Sequence, residues 1–370
     1  MKFTIEKKIL LKYLQQISIL LGKNTDVPIL NNILINIESG HLFLTSSNLE
    51  IEIVAKIMLC LPYTVGKITI PGRKFLNICR LFPSQSHMLI YLDGEKIIIK
   101  SNKIFFSLCT LSSEQFPEFL KNNHSNQIIF VMQEKIFKYM LNVSYFCMAK
   151  QDVRSYLNGM LLEIEKNVIR IVTTDGYRLA ICRINFKNFI PEFSIIIPRN
   201  SIIELIKILQ NSNDELKLFI NKQSMSIYTK DLTFTTKLIE ENFPDYSSTL
   251  LSNKKKIVEI NTKSLRDSIL RVAILCNQQF KGISFYINNN EFKITSNNQL
   301  DELAEEIIDV HYQNNFENIE FSLNINYILD VLNVIKGKYI RFILNIPISN
   351  IQIEDTEKTF TKYVIMPMYI

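Results

Sequence analysis

The stretch LLKYLQQISILL, Leu10 to Leu21, sets apolar residues at Leu10, Leu14, Ile17 and Leu21, steps of four, three and four that make one helix face. The same steps return at Ile136, Met140, Val143 and Cys147, and again at Leu265, Ile269, Val272 and Cys276, offsets of 126 and 129 residues. A second pattern, with steps of three, one and three, runs through Phe75, Ile78, Cys79 and Phe82. It recurs at Ile202, Leu205, Ile206 and Leu209, then at Ile328, Val331, Leu332 and Ile335, offsets of 127 and 126. Apolar quartets arise by chance in any helix, but two registers repeating together at near-constant spacing mark an internal triplication.

Strand pairs with polar turns lie between the helices: NILINIESGHLFLTS, GMLLEIEKNVIRIVTT and GISFYINNNEFKITS. Further alternating strands follow the second helix of each copy: EKIIIKSNKIFFSLCTL, SMSIYTKDLTFTTKLIE and NIQIEDTEKTFTKYVIM. The expected fold is therefore α+β, three similar domains of two helices packed on β-sheets. The domains span residues 1–125, 126–253 and 254–370, with breaks in the polar stretches KNNHSNQ (Lys121 to Gln127) and LLSNKKK (Leu250 to Lys256). The uncharged tail YVIMPMYI, Tyr363 to Ile370, falls where the last strand of the third copy belongs, so part of its apolar character is core.

With 370 residues, 47% hydrophobic and 21% charged, the chain reads as a folded protein of several domains. No apolar run reaches the roughly 18 residues of a membrane span, and MKFTIEKKIL lacks the continuous apolar stretch of a signal peptide, which points to the cytoplasm. Six Cys stand singly and read as reduced thiols. A net charge of +6 permits nucleic-acid binding without establishing it.

Catalytic chemistry finds little material. The four His have no acidic or Cys neighbours at ligand spacing, so no metal site is expected, and nine Gly leave no phosphate-cradling loop or other cofactor motif. TTDGYRLA (Thr173 to Ala180) offers Thr and Asp as nucleophile and base, but Asp-Gly reads better as a turn between strands. In LDELAEEIIDV (Leu300 to Val310) the acids alternate with apolar residues in an extended or edge position, which suits a charged interaction face better than a Mg²⁺ site.

MKFT, LLKYLQQIS, QDVRSYLNGML, TTDGYRLA, FPDY, YILDVLN, IQIED and YVIMPM together resemble, in order and spacing over the whole chain, the bacterial DNA polymerase III beta subunits, the replicative sliding clamps of enterobacterial and insect-symbiont type. That resemblance implies a non-catalytic, cofactor-free protein: two chains head to tail, a closed six-domain ring around duplex DNA, helices lining the hole and sheets forming the wall. It implies sequence-independent DNA contact by basic residues on the helices, among them Arg73, Arg80 and Arg199, and by Gln151 and Tyr156 in a loop where Ser155 replaces a second Tyr. Lys23 is offered for an Arg that Asn24 replaces.

The family's peptide pocket maps to Leu157, Thr174, Gly176, Arg178, Leu179, Pro244, Asn324, Tyr327, Val364, Ile365, Met366, Pro367 and Met368, with Tyr177, Ser248 and Tyr369 departing from the pattern. Its expected occupants are Gln-x-x-Leu-Phe segments of the polymerase III catalytic subunit, the clamp loader and other replication and repair proteins. Homodimer contacts would join Lys103 and Phe106 to Ile274, Leu275, Glu302, Glu305 and Glu306 of the other chain. The competing expectations are a nuclease or transferase built on Asp175 and the acids near Glu305, and a repeat scaffold that binds proteins but no DNA.

Overall fold

The computed structural model describes residues 1–22, 27–119, 128–186, 190–250, 256–277, 281–288, 291–298, 300, 302–312 and 318–368. The first repeat comprises β1 (Lys2–Glu6), α1 (Lys7–Ile17), β2 (Asn32–Glu38), β3 (His41–Ser47), β4 (Ile51–Met58), β5 (Gly66–Pro71), α2 (Gly72–Leu81), β6 (His87–Asp93), β7 (Lys96–Ser101) and β8 (Ile104–Cys109). The second follows the same order with β9 (Ile128–Gln133), α3 (Glu134–Ser144), β10 (Gly159–Glu165), β11 (Val168–Thr174), β12 (Arg178–Asn185), β13 (Phe193–Pro198), α4 (Arg199–Ile208), β14 (Glu215–Ile220), β15 (Ser224–Tyr228) and β16 (Leu232–Lys237). The third has β17 (Lys256–Asn261), α5 (Thr262–Val272), β18 (Gly282–Ile287), β19 (Phe292–Asn297), β20 (Leu303–Ile308), a short extra β21 (His311–Tyr312), β22 (Ile319–Asn324), α6 (Ile325–Val334), β23 (Tyr339–Leu344), β24 (Ile351–Asp355) and β25 (Thr361–Ile365). The breaks expected near residues 125 and 253 lie outside the described residues.

One buried hydroxyl marks the repeat at atomic detail. Ser46 Oγ donates to the Ile17 carbonyl, Thr173 Oγ1 to that of Ser144 and Ser296 Oγ to that of Val272, each at 2.6 Å. Each acceptor is the last residue of the repeat's first helix, where carbonyls have no intrahelical partner. The hydroxyl thus ties the helix end to the second strand of the sheet beneath it.

The bonds also correct the register expected for the first helix of the central copy. Equivalents of Leu10, Leu14, Ile17 and Leu21 are Phe137, Leu141, Ser144 and Met148, one residue beyond the expected row, so the offset is 127 and not 126. The slip arose because α3 buries adjacent residues: Met140 and Leu141 are both fully buried, and either row reads as apolar. The second helices start at Gly72, Arg199 and Ile325, offsets of 127 and 126, in the expected register.

Each repeat contributes two four-stranded half-sheets, and the halves fuse between repeats. β4 pairs with β16 in the eight-stranded sheet β5-β2-β3-β4-β16-β15-β14-β9, and β12 pairs with β25 in the nine-stranded sheet β13-β10-β11-β12-β25-β24-β23-β17-β21. The remaining halves, β1-β6-β7-β8 and β20-β19-β18-β22, end at β8 and β20 with no further strand among the described residues.

By contacts the chain divides into two compact units whose boundary runs through the central repeat: Met1–Lys138 with Asn200–Leu238, and Tyr139–Arg199 with Ile239–Ile370. In the second unit a continuous core joins α5 and α6 to the sheets through Leu265, Ile269, Ile328 and a stacked Phe285–Phe321 pair 5.2 Å apart. Among the described residues no helix is long and apolar enough to cross a membrane.

Candidate functional site

The turn between β11 and β12 uses its polar groups structurally. Thr174 Oγ1 donates to the Arg178 carbonyl at 2.7 Å and accepts from the Gly176 N–H at 3.0 Å. Asp175 Oδ1 accepts the N–H groups of Tyr177 and Arg178, both at 3.0 Å, an Asx turn that leaves no free nucleophile or base. Gly176 has φ +92°, in the left-handed region where a Cβ is strained.

That turn starts β12, whose pairing with β25 sets Leu179 opposite Val364 and Arg178 opposite Ile365. Leu179 and Val364 join Leu161, Val172, Ile181 and Ile196 in one apolar cluster, with half-buried Tyr156 packed against it. Leu157, buried, lies in the short turn of Ser155–Asn158. Beyond β25 the chain is pinned twice: Met366 N–H donates to the Tyr177 carbonyl at 2.9 Å and Met368 N–H to the Ser322 carbonyl at 2.8 Å. The Met366 side chain stays 44% exposed although its neighbours are held, so a soft thioether stands at the surface beside the apolar cluster.

Arg178 holds the site together. Its guanidinium donates to Asp175 at 2.9 Å, to Asp330 on α6 at 2.6 Å and to the Phe146 carbonyl at 2.7 Å, and lies 4.4 Å over the Tyr327 ring. Asn324 caps α6 by accepting from the Asn326 N–H. Thr174, Gly176, Arg178, Leu179, Tyr327, Val364, Ile365 and Met366 are therefore joined by pairing and side-chain contacts. Pro244 is exposed and lines a neighbouring cavity.

The triplication supplies an internal contrast that the sequence alone concealed. Ser46 and Thr173 are equivalent; Ser46 faces Ile53 across β3–β4 and Thr173 faces Ala180 across β11–β12. Glu52 is therefore the first-repeat counterpart of Leu179, and its partner Thr235 that of Val364. Burial alone pushes the Glu52 carboxyl up to about 7. The apolar pocket floor exists at one fused sheet and is polar at the other.

The basic residues divide by their engagements. Arg73 Nη2 donates to the Leu21 carbonyl at 3.2 Å and Arg199 Nη1 to that of Met148 at 2.8 Å, so both brace the segment after the preceding helix. At Gly22 a Cβ would sit 2.4 Å from Arg73 Nη2, so a side chain there would displace the guanidinium. Arg271 is held by Glu306 at 2.9 Å. Lys8, Lys74, Arg80, Lys135, Lys263 and Arg266 are exposed helix residues with no ion pair among the described residues. Gln151 is exposed at φ +59°; Lys23 lies outside the described residues.

The two open edges are apolar for exposed strands. Phe105 on β8 is 55% exposed, as are Leu303 and Ile307 on β20 at 63% and 51%, and Ile274 after α5 reaches 79%. The acids at the β20 edge already have partners: Glu305 meets Lys293 at 3.2 Å, and Glu302, just before the strand, accepts from Asn298 at 2.6 Å. Among the described residues no group of three or more His, Cys, Asp or Glu is placed to hold a metal ion.

Comparison with known proteins places these features in a family. Models of the DNA polymerase III beta subunit match in three pieces: the N-terminal domain over residues 1–120, the central domain over 131–245 and the C-terminal domain over 248–369. The beta sliding clamp of Buchnera aphidicola subsp. Rhopalosiphum padi is 45% identical over 366 residues, 99% of both chains, and that of Escherichia coli K12 is 39% identical over 368 residues, 100% of both. The crystal structure of the DNA polymerase III subunit beta from Pseudomonas aeruginosa is similar at TM-score 0.95 and 35% identity over 100% of both chains, and the Caulobacter crescentus pol III beta at 0.92 and 25%. A triplicated α+β chain whose only enzyme-like motif is a closed turn thus belongs to the DNA polymerase III beta subunit family, the beta sliding clamps, non-catalytic processivity subunits of the replicative polymerase.

Proposed function

We propose that two copies of this chain close into a ring through β8 of one and β20 of the other, hold duplex DNA inside it without reading sequence, and tether the polymerase III catalytic subunit and clamp loader at the Leu179–Val364 pocket. The pairing rule of the sheets carries this reading. The third strand of one half-sheet joins the last strand of the next repeat at β4–β16 and at β12–β25, which leaves β20 and β8, among the described strands, as the unmatched pair of the same kind. Pairing them between copies removes two exposed edges that would otherwise invite indiscriminate association.

The rule also supplies a register. Ile53 faces Phe234 and Ala180 faces Tyr363 across the fused sheets, and their counterparts at the open edges are Ala304 and Phe106. Phe106 therefore stands opposite Ala304, large against small, with Ile274 and Leu275 nearby on the same inner side. Lys103 then lies on the outer face with Glu305, while Glu302 and Glu306 share the inner face. Exposed Lys and Arg on the helices, Arg80 among them, attract phosphates by charge alone, which suits a ring that must slide.

Removing buried aliphatic side chains costs about 2–5 kcal/mol each. Wild type is expected to sediment at twice 43.2 kDa and the double variant Ile274→Ala with Leu275→Ala as a monomer at micromolar concentration. A variant that remains fully dimeric on dilution overturns the interface.

A further inference from the structure

On the sheet face that carries Leu179 and Val364, apolar residues give way to charged ones along the strands. Arg183 lies four residues along β12 from Leu179, and Arg170 on β11 is its direct cross-strand partner. Like charges directly opposite destabilise a sheet unless an anion offsets them. Arg170 has its anions: Nη1 is 3.2 Å from Glu163 and 2.8 Å from Glu165. Lys362 on β25 has Glu354 at 3.2 Å. The Arg183 side chain is exposed and has no hydrogen bond or ion pair among the described residues.

These cations line one cavity of about 530 Å³, and Glu163, Glu165 and Asp245 stand in the same wall. Leu161 and Ile181 belong both to that cavity's wall and to the apolar cluster of Leu179 and Val364, and Pro244 lines it as well. Pocket and cavity are therefore one surface, greasy at one end and charged at the other, where Arg183 is the cation left without a carboxylate.

We propose that the cavity takes an acidic side chain of the same partner peptide whose apolar residues fill the Leu179–Val364 pocket, and that Arg183 pairs with it; the inference rests on the pocket reading above. Four strand residues span about 13 Å. An extended peptide covers that distance in about four residues, so the acid stands about four positions from the Leu-Phe anchors. A half-exposed ion pair of this kind is worth only a few-fold in affinity, which makes the cavity a selector among partners and not the anchor.

Fluorescence anisotropy with four Gln-x-x-Leu-Phe peptides tests it: one with neutral extensions, one with Glu four residues before the Leu-Phe pair, one with Glu four residues after, and one with Lys in both places. On wild type, one Glu peptide is expected to bind about three- to fivefold tighter than the neutral peptide. Within the Arg183→Ala protein that ratio should fall to one, and within Arg183→Glu the Lys peptide should take the advantage. Equal binding of all four peptides to wild type, or a Glu advantage that survives in Arg183→Ala, overturns the proposal. Failure of the neutral peptide to bind wild type would instead refute the pocket itself, and this inference with it.

Discussion

The Arg178 guanidinium reaches Asp330 at 2.6 Å, joining the second repeat's β12 to the third repeat's α6 beside the pocket. The two partners are unequal: Arg178's side chain is 11% exposed and Asp330's 42%. Asp330→Ala leaves Arg178 bonded to Asp175 and the Phe146 carbonyl, so urea unfolding should show a loss of about 1 kcal/mol. Arg178→Ala strands Asp175 without its cation and should cost roughly 3 kcal/mol. Equal losses would show that Arg178 does not organise the site.

Leu179→Glu copies into the pocket the residue its counterpart carries at Glu52. The fold already accommodates a carboxyl at the equivalent position, so the dimer should persist. Peptide affinity should fall by about 2 kcal/mol or more, roughly thirtyfold, because the anchor loses its apolar floor. Anisotropy with an intact Gln-x-x-Leu-Phe peptide reads this directly; unchanged affinity would move the pocket elsewhere.

Glu52 sets a pH dependence of known sign. Its folded pKa of about 7 lies above the 4.5 of an ordinary glutamate, so between those values the native state binds the extra proton. Stability attributable to this group therefore falls as pH rises from about 4.5 to 7, and the penalty is complete above that. Glu52→Gln should gain about 3 kcal/mol at pH 8 and nothing at pH 4. Thermal or urea melts at the two pH values check it, and a pH-independent gain would refute the assignment.

Ser144 stands where the other repeats have Ile17 and Val272, and its buried Oγ has no hydrogen-bond partner among the described residues. Removing an unsatisfied buried hydroxyl recovers its desolvation cost, so Ser144→Ala should stabilise by about 1 kcal/mol. A destabilised variant would mean the hydroxyl is bonded in solution.

Much of this was legible in the chain because apolar period and burial agree: Phe75, Cys79, Ile202, Leu205, Ile328 and Leu332 appear as core in the sequence and in the fold. In the central first helix the sequence register is ambiguous by one residue, because Phe137, Met140 and Leu141 are all buried and several registers look alike there. Ser46, Thr173 and Ser296 were invisible as a set, since a hydroxyl ending a strand reads as a turn residue until its helix carbonyl is located. Arg73 and Arg199 illustrate another limit: charge at a helix start suggests phosphate contact, whereas whether the guanidinium already serves a carbonyl is decided only in three dimensions. The equivalence of Glu52 with Leu179 required strand pairing, because the two share no residue type.

The claim that this chain acts by topology is tested most directly by retention on DNA of different ends. Protein loaded onto a nicked circular duplex with a clamp loader should stay bound through gel filtration in 1 M salt, roughly the ionic strength at which screening falls to about 3 Å. Cutting the circle once should release it. Loss from the intact circle at that salt, or persistence on the cut molecule, would contradict a closed sliding ring.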